Sequence, residues 1–348
     1  MRNITKKDFT KEFSGREGDF LELKDFSIFE VKGLIHPPKK LISYPRYIVD
    51  NKGDRLKGHR KYRKIYPLQE RQELLIKKYP HLLVNDPVLN IRTPEISQTE
   101  IIAHYKPDEI LEKIRKKKQS DNEILKAIEL TYLLEIHSGI SSSAIGISGS
   151  IMIGLHTNSS DIDLIIYGQN ESCKTRDSLR ILLKEKKQVR SLNNNEMLRL
   201  YKFRGSDAAM QFEVFVKHEM RKTFQGMFKD KEFFIRYLPN WYELDEKYGS
   251  IKYVPVGYVK VKARVKDASE AFYSPCKYVL DQVEILEGNK APNIIEAVSF
   301  RGRFCEQAET GELVIIQGKL EKVLFSDREY HRILLGGDPL DFMISLSL

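Results

Sequence analysis

The chain has 348 residues, of which 41% are hydrophobic and 31% are charged, and its formal net charge is +9. This composition excludes an intrinsically disordered chain, and no apolar run approaches the ~20 residues that span a bilayer, so we expect no membrane partner. The three cysteines form no Cys-x-x-Cys pair and predict neither a zinc framework nor disulfides. Because the first residues are charged and no apolar segment follows them, we expect a cytoplasmic protein without a signal peptide.

The positive charge is concentrated at the start of the chain. Residues 1–118 contain 27 Lys and Arg against 17 Asp and Glu, whereas the rest contains 31 against 32. A basic region of this kind attracts RNA or single-stranded nucleic acid. A solvated basic surface with no such partner is an equal alternative.

The first predicted domain, residues 1–118, has α+β character. Residues 1–19 are polar, and we expect them to be loosely ordered. Residues 20–49 predict a small β-sheet interrupted by prolines, and 67–79 predict a helix that begins with Pro67. Residues 58–64 are basic with one tyrosine, which suits either phosphate and base contacts or an exposed loop.

The second predicted domain, residues 119–245, begins with a helix. Ser120 and Glu123 have the spacing of a capping box, and Gly139 ends the helical pattern. The apolar residues at helical spacing that we expect to be buried are Ile124, Leu125, Ile128, Tyr132 and Ile136.

Two short strands follow and carry the chemistry. Residues 144–148 predict a buried strand, which Gly149 and Ser150 end, and 161–167 predict a second strand. Side chains two positions apart share one face, so Asp161 and Asp163 point the same way. A divalent cation relieves the repulsion between two such carboxylates, and oxygen ligands suit Mg²⁺ or Mn²⁺. Glycine lets a phosphate approach the backbone, so the pattern predicts metal-assisted phosphoryl or nucleotidyl transfer.

At these residues the sequence resembles the DNA-polymerase-β-like nucleotidyltransferase superfamily. The carrying pattern is Gly149-Ser150, ten intervening residues, and Asp161-Ile162-Asp163 in an apolar strand. The resemblance implies that Gly149, Ser150 and Ser160 hold an NTP and that Asp161 and Asp163 bind the metal. More loosely, the rest of the chain is similar to an archaeal group of predicted nucleotidyltransferases of unknown substrate. The segments that carry this wider likeness are 86–89, 218–222 and 299–304.

The superfamily carries a third acid on a later strand, which binds metal and takes the proton from the attacking hydroxyl. Glu232 is our first candidate, in a predicted strand over residues 232–237, and Glu213 is the second. Residues 206–224 have helical spacing, so we predict a helix there, with an N-cap at Ser206-Asp207 and a stop at Gly226.

Further basic residues are candidates for phosphate contacts. Arg176 lies on a helix predicted over residues 171–188 and follows the strand that bears the two aspartates, which suits either a triphosphate contact or a solvated helix face. His218, Arg221 and Lys222 share one helical face, which suits either a substrate phosphate or a helix-end charge cluster.

The third predicted domain, residues 246–348, is a small β-barrel that resembles an OB-fold. Five or more short strands in ~90 residues, including 258–265, 276–286 and 297–305, favour a small barrel or a sandwich. Such barrels often hold nucleic acid, and the basic residues to consider are Lys260, Lys262, Arg264, Arg301 and Arg303.

The sequence therefore predicts an α+β protein whose central domain has a nucleotidyltransferase mixed sheet flanked by helices. The predicted enzyme moves an NMP from an NTP to an acceptor hydroxyl or phosphate, with RNA or DNA among the acceptors. Two alternatives stay open: a non-catalytic nucleic-acid-binding protein on the same scaffold, and an enzyme that transfers the NMP to a protein.

Overall fold

The computed structural model describes residues 13–204, 210–326 and 328–348, and its three β-sheets follow one another along the chain. The fold is a mixed α+β arrangement, as predicted. No helix among the residues it describes is long and apolar enough to cross a bilayer.

The first sheet has eight antiparallel strands, and the helix predicted near Pro67 packs against it. Neighbouring strands follow the order β4-β5-β3-β2-β1-β8, β7 also pairs with β3, and β6 pairs with β7. Helix α1 spans Leu68–Lys78 and packs on β3. The strands are β1 Phe20–Leu23, β2 Ile28–Val31, β3 Lys40–Val49, β4 Arg55–Lys57, β5 Arg60–Lys64, β6 Leu83–Asp86, β7 Ile91–Ser97 and β8 Ile101–Tyr105.

The second sheet contains β10, the strand associated with the two aspartates, between its central strand β13 and its edge strand β9. Its order is β11-β12-β13-β10-β9, in which β10 pairs antiparallel with β9 and parallel with β13. Its elements are α2 Pro107–Lys116, α3 Asn122–Ser138, β9 Ile145–Ile147, α4 Gly149–Met152, β10 Ile162–Tyr167, α5 Gln169–Glu185, β11 Val189–Arg190, α6 Asn194–Arg204, α7 Phe212–Met220, β12 Gln225–Phe228 and β13 Lys231–Leu238.

Helix α3 begins one residue later than the capping-box prediction. The Asp121 carboxylate, not the Ser120 hydroxyl, accepts hydrogen bonds from the backbone N–H groups of Glu123 and Ile124. Gly139 ends the helix in the left-handed conformation, as predicted. The predicted buried face was wrong at Leu125, Tyr132 and Ile136, which are 39%, 46% and 79% exposed. The face that packs inward carries Ala127, Leu130, Thr131 and Leu134 instead.

The segment before β13 is more irregular than the single helix predicted over residues 206–224. Helix α7 occupies only its middle, and Gly226 lies inside strand β12 rather than at a helix stop. The predicted N-cap at Ser206-Asp207 falls outside the described residues. The first turn of α7 carries Glu213, which is exposed to solvent.

The third sheet closes on itself. Strand β14 pairs with both β15 and β17, so β14, β15, β16, β18 and β17 form a ring. The strand predicted over 297–305 ends early, and Gly302–Phe304 forms a 3-10 turn. Alternate residues of β14, such as Val259 and Val261, are buried inside the ring. The strands are β14 Ile251–Asp267, β15 Cys276–Gly288, β16 Ile294–Ser299, β17 Leu313–Phe325, β18 Arg328–Leu335 and β19 Phe342–Ser345.

The second and third sheets share one hydrophobic core. Phe272, in the connection between β14 and β15, packs edge-on against Tyr237 of β13 with ring centroids 5.3 Å apart. The backbone N–H of Ser274 donates to the Tyr237 carbonyl at 3.0 Å. These contacts fix the ring of strands against the sheet that bears the aspartates.

Candidate functional site

Strand β10 presents its two aspartates on one face, as the alternation predicted. Asp161 directly precedes the strand and Asp163 is its second residue, and both are half-buried. Ile162, Leu164 and Ile166 point to the opposite face and are at most 1% exposed. The packing of these apolar side chains therefore fixes the direction of both carboxylates.

Gly149 lies directly against the Asp163 carboxylate. A Cβ atom built on Gly149 would meet Asp163 Oδ2 at 2.0 Å, and the φ angle of Gly149 is +63°. The backbone N–H of Ser148 donates to the Asp163 carbonyl at 2.8 Å, which holds the two segments together. Both the space and the backbone conformation therefore require glycine at this position.

Burial and the neighbouring carboxylate make Asp163 harder to ionise. Burial first and the neighbouring Asp161 carboxylate second raise the pKa of Asp163 to about 7, against the opposing effect of Lys64, Arg46 and Arg236. A divalent cation between the carboxylates would remove this repulsion. Mg²⁺ commonly binds one or two carboxylates together with substrate phosphates and waters, so this donor set fits it.

Three cations from different parts of the chain surround the aspartates. Arg46 lies on β3, Lys64 ends β5, and Arg236 lies on β13. Arg236 pairs with Glu17 at 3.3 Å and with Glu30 at 3.5 Å. The packing of Glu17 shows that the expectation of a loosely ordered start was wrong for residues 13–19, most of which are buried.

Lys64 differs from the other two cations. Arg46 is 3.7 Å from Glu30, whereas no ion pair to Lys64 occurs among the described residues. Burial lowers the pKa of Lys64, Arg46 lowers it further, and Asp161 and Asp163 oppose this. The acidic groups that act on the Lys64 ammonium are therefore the two aspartates.

All these side chains line one cavity, which we call the central cleft. It has a volume of about 1190 Å³ and receives residues from all three sheets. Its lining includes thirteen Lys and Arg side chains against nine Asp and Glu side chains. The cations are Lys32, Arg46, Arg55, Lys64, Arg71, Arg199, Arg204, Lys231, Arg236, Lys277, Arg301, Arg303 and Arg332.

The predicted phosphate-binding residues have different positions relative to this cleft. Ser160 lines it, and its hydroxyl accepts from the backbone N–H of Thr157 at 2.9 Å. Ser150 is 4% exposed, and neither it nor Gly149 is among the described residues that line the cleft. In this structure Gly149 acts on the site through its contact with Asp163.

The two candidates for the third carboxylate, Glu232 and Glu213, also differ in their position relative to the cleft. The parallel register of β10 and β13 places Glu232 beside Asp161, and Glu232 lines the central cleft. Its side chain contacts Arg199 at 3.5 Å. Within the described ranges, no group of three His, Cys, Asp or Glu side chains is close enough to hold a metal. Glu213, exposed on α7, does not line the cleft.

Arg176 does not contribute to the cleft, contrary to our expectation. Its Nε donates to Glu306 at 2.6 Å, and its guanidinium lies 4.6 Å from the Phe272 ring centroid. Glu306 also accepts from the backbone and the hydroxyl of Thr223. Arg176 therefore joins the second sheet to the ring of strands.

The basic face of residues 218–222 is likewise structural. His218 is buried, and its Nε2 accepts from the backbone N–H of Ser345 at 3.0 Å. Arg221 makes a two-bond contact with Glu312, and Lys222 is buried against Glu219. These side chains are already paired inside the protein, so the phosphate interpretation was wrong.

Acidic residues lie opposite the basic row on the ring of strands. In the β14–β15 register, Lys260 lies opposite Glu287, Lys262 opposite Glu284, and Arg264 opposite Asp281. Lys260 contacts Glu287 at 2.9 Å. Of the basic residues noted in the barrel, only Arg301 and Arg303 line the central cleft.

Sequence reasoning found Lys64 within the basic segment 58–64 but missed Arg46 and Arg236. Arg236 had a usable signal, because an arginine within the apolar run Phe233-Phe234-Ile235 needs a buried partner. Arg46 had no such signal in the sequence, because its partner Glu30 lies on a different strand.

Comparison with known proteins places the chain in a family. It is 30% identical over 339 residues to the uncharacterized protein MJ1086 of Methanocaldococcus jannaschii, an alignment that covers 91% of this chain and 94% of that protein. The chain therefore belongs to the same family as MJ1086. No family model matches the chain, and no solved structure matches it significantly.

Proposed function

We propose that this member of the MJ1086 family is a metal-dependent nucleotidyltransferase, which moves an NMP from an NTP to an acceptor hydroxyl or phosphate. The observation that carries the proposal is the arrangement at β10. Asp161 and Asp163 share a face, Asp163 lies against Gly149, and both carboxylates line a cleft rich in Lys and Arg. The antiparallel β9 and the parallel β13 beside β10 support the nucleotidyltransferase sheet predicted from the sequence.

In this proposal Asp161 and Asp163 hold Mg²⁺ or Mn²⁺. The bound ion supplies charge neutralisation at the phosphate that reacts. Lys64 and Arg46 bind phosphate oxygens, because Lys64 has no described ion pair and Arg46 has only a long one. Ser160, in the cleft lining, adds a hydroxyl donor. Glu232, next to Asp161, is positioned to receive the acceptor's proton after leaving Arg199.

The size of the cleft supports two substrates. Sites for one small ligand commonly measure about 300–1,000 Å³, and this cleft measures about 1190 Å³. Arg301 and Arg303 extend the basic lining to the ring of strands. We propose that the ring is the OB-like barrel of residues 246–348, that residues 1–118 and 119–245 form the other two domains, and that all three contribute to the cleft.

The alternative of a non-catalytic nucleic-acid-binding protein receives less support. It relied on the basic N-terminal third and on the barrel, and on the barrel acidic residues lie opposite Lys260, Lys262 and Arg264 across the strand pair. Transfer of the NMP to a protein has no observation of its own in its favour.

The first experiment is calorimetric titration of each NTP into the protein, with and without Mg²⁺. We expect Mg²⁺-dependent binding in the wild type, and loss of that dependence in the Asp161→Asn and Asp163→Asn variants. A ligand at ~100 times its dissociation constant also adds about 2.7 kcal/mol to the free energy of unfolding, so melting shifts provide a second readout.

The matched control is Asp177→Asn, which removes an exposed carboxylate on α5, with a side chain 71% exposed. This variant should bind as the wild type does. NTP binding by the wild type that is the same with and without Mg²⁺, or a Mg²⁺ dependence that survives both aspartate substitutions, would contradict the proposal. Pyrophosphate release with candidate acceptors then tests transfer itself.

A further inference from the structure

Two aromatic rings lie in the central cleft with large exposed surfaces. Tyr66 precedes α1 and Phe203 lies near the end of α6, and their ring centroids are 4.5 Å apart at an angle of 47°. Tyr66 is 40% exposed and Phe203 is 58% exposed, and both line the cleft. A paired aromatic surface that stays in contact with water inside a concave site is a candidate contact for a flat ligand.

The same rings are next to the cations of the candidate phosphate site. The Arg46 guanidinium lies 5.0 Å from the Tyr66 ring centroid, and the Lys64 ammonium lies 5.8 Å from it. These two cations also act on the Asp163 carboxylate and oppose the rise in its pKa. Arg46 and Lys64 therefore lie close enough to influence both the aspartates and the aromatic pair.

From this arrangement we infer that Tyr66 and Phe203 form the stacking surface for the nucleobase of the bound NTP. The inference rests on the proposed function and deepens it. If the NTP phosphates bind Lys64 and Arg46, the nucleobase, which is joined to them through the ribose, can contact the aromatic rings beside those two cations. The opposite order would put the uncharged base among cations and the phosphates against apolar rings.

Stacking also sets the expected specificity. Every base has a flat π-face, so an aromatic surface binds all four, and larger rings cover more of it. We therefore expect weak selectivity, with ATP and GTP bound more tightly than CTP and UTP.

The experiment compares two ligands on the same variants in the presence of Mg²⁺: ATP, which has a base, and inorganic tripolyphosphate, which has none. Phe203→Leu keeps an apolar side chain without a ring, and Phe203→Tyr restores the ring. Since base stacking on one aromatic ring is worth about 1–3 kcal/mol, Phe203→Leu should weaken ATP binding about 5- to 150-fold. Tripolyphosphate binding should not change, and Phe203→Tyr should bind ATP as the wild type does.

Tyr132→Leu is the matched control. Tyr132 is 46% exposed on α3 and also has an arginine over its ring, Arg115 at 4.7 Å, yet it does not line the cleft. Tyr132→Leu should bind both ATP and tripolyphosphate as the wild type does. Unchanged ATP affinity in Phe203→Leu would overturn the stacking inference, as would an equal loss for ATP and tripolyphosphate. Failure of the wild type to bind either ligand would instead overturn the proposed function, so the two failures are distinguishable.

Discussion

Asp163 and Gly149 are in such close contact that the carboxylate occupies the space where any other residue at position 149 would place its Cβ atom. The glycine of the sequence motif therefore has a structural role that is independent of any ligand. It allows Asp163 to lie against the turn after β9 while the backbone takes a φ of +63°.

The first prediction separates this contact from the cost of the backbone conformation. Gly149→Ala should lower the free energy of unfolding by about 1–2 kcal/mol for a left-handed alanine and by about 1–3 kcal/mol more for the displaced carboxylate. It should also abolish Mg²⁺-dependent NTP binding. Urea unfolding and calorimetry measure the two effects.

Gly154→Ala is the control for that substitution. Gly154 has a φ of +69°, but a Cβ there would meet nothing within 4 Å. Gly154→Ala should therefore show only the cost of the backbone conformation, and it should keep Mg²⁺-dependent NTP binding. Equal behaviour of the two variants would show that the contact with Asp163 has no consequence.

The second prediction concerns the pH dependence of stability without metal. The pKa of Asp163 is raised to about 7, mainly by burial and then by Asp161, from an ordinary value of about 4. Between these values the folded protein binds more protons than the unfolded chain, so the contribution of Asp163 to stability falls as pH rises through this window. Asp163→Asn should remove this decline.

In magnitude, Asp163→Asn should be more stable than the wild type by about 1–4 kcal/mol at pH 8, because each pKa unit corresponds to about 1.4 kcal/mol. The difference should nearly vanish at about pH 3, below both pKa values, and added Mg²⁺ should stabilise only the wild type. Chemical unfolding at both pH values measures this, with Asp177→Asn as control. A variant less stable than the wild type at pH 8 would refute the predicted repulsion.

The third prediction assigns Lys64 to the phosphates. Lys64→Met keeps the length of the side chain and removes its charge, so affinity for tripolyphosphate with Mg²⁺ should fall by about 1.5–3 kcal/mol, the usual value of a charged hydrogen bond. Lys260→Met provides the control, because Lys260 is paired with Glu287 on the ring of strands. If both variants bind equally well, Lys64 does not contact the phosphates.

The fourth prediction treats Arg176 as a structural residue. Arg176→Ala leaves Glu306, which is 5% exposed, with only its bonds to Thr223. It should therefore lower the free energy of unfolding by about 1–3 kcal/mol, the usual cost of an unsatisfied buried group. NTP affinity of the folded protein should not change.

Arg180→Ala, one helical turn further along α5, is the comparison. Arg180 contacts the exposed Asp177 at 3.8 Å, so its loss should change stability by less than about 1 kcal/mol. A specific loss of NTP affinity in Arg176→Ala would restore the role in nucleotide binding that the sequence suggested.

The sequence by itself determined the local part of the candidate site. The alternation of Ile162, Asp163 and Leu164 sets which side chains share a face of β10, because that period is a property of the strand backbone. Helix α1 and the αL end of α3 at Gly139 were predictable for the same reason, since their signals lie within a few residues.

Only the tertiary structure decided which charges meet. Arg46 and Lys64 approach Asp163 from another sheet, Arg176 meets Glu306 instead of a phosphate, and Glu287 neutralises Lys260 across a strand pair. The residues near a charged side chain in the sequence do not identify its ion-pair partner, because the partner's position depends on strand order and on the packing of one sheet against the next. The apolar pattern therefore fixed where the carboxylates point, and the pairing of distant strands fixed the charges around them.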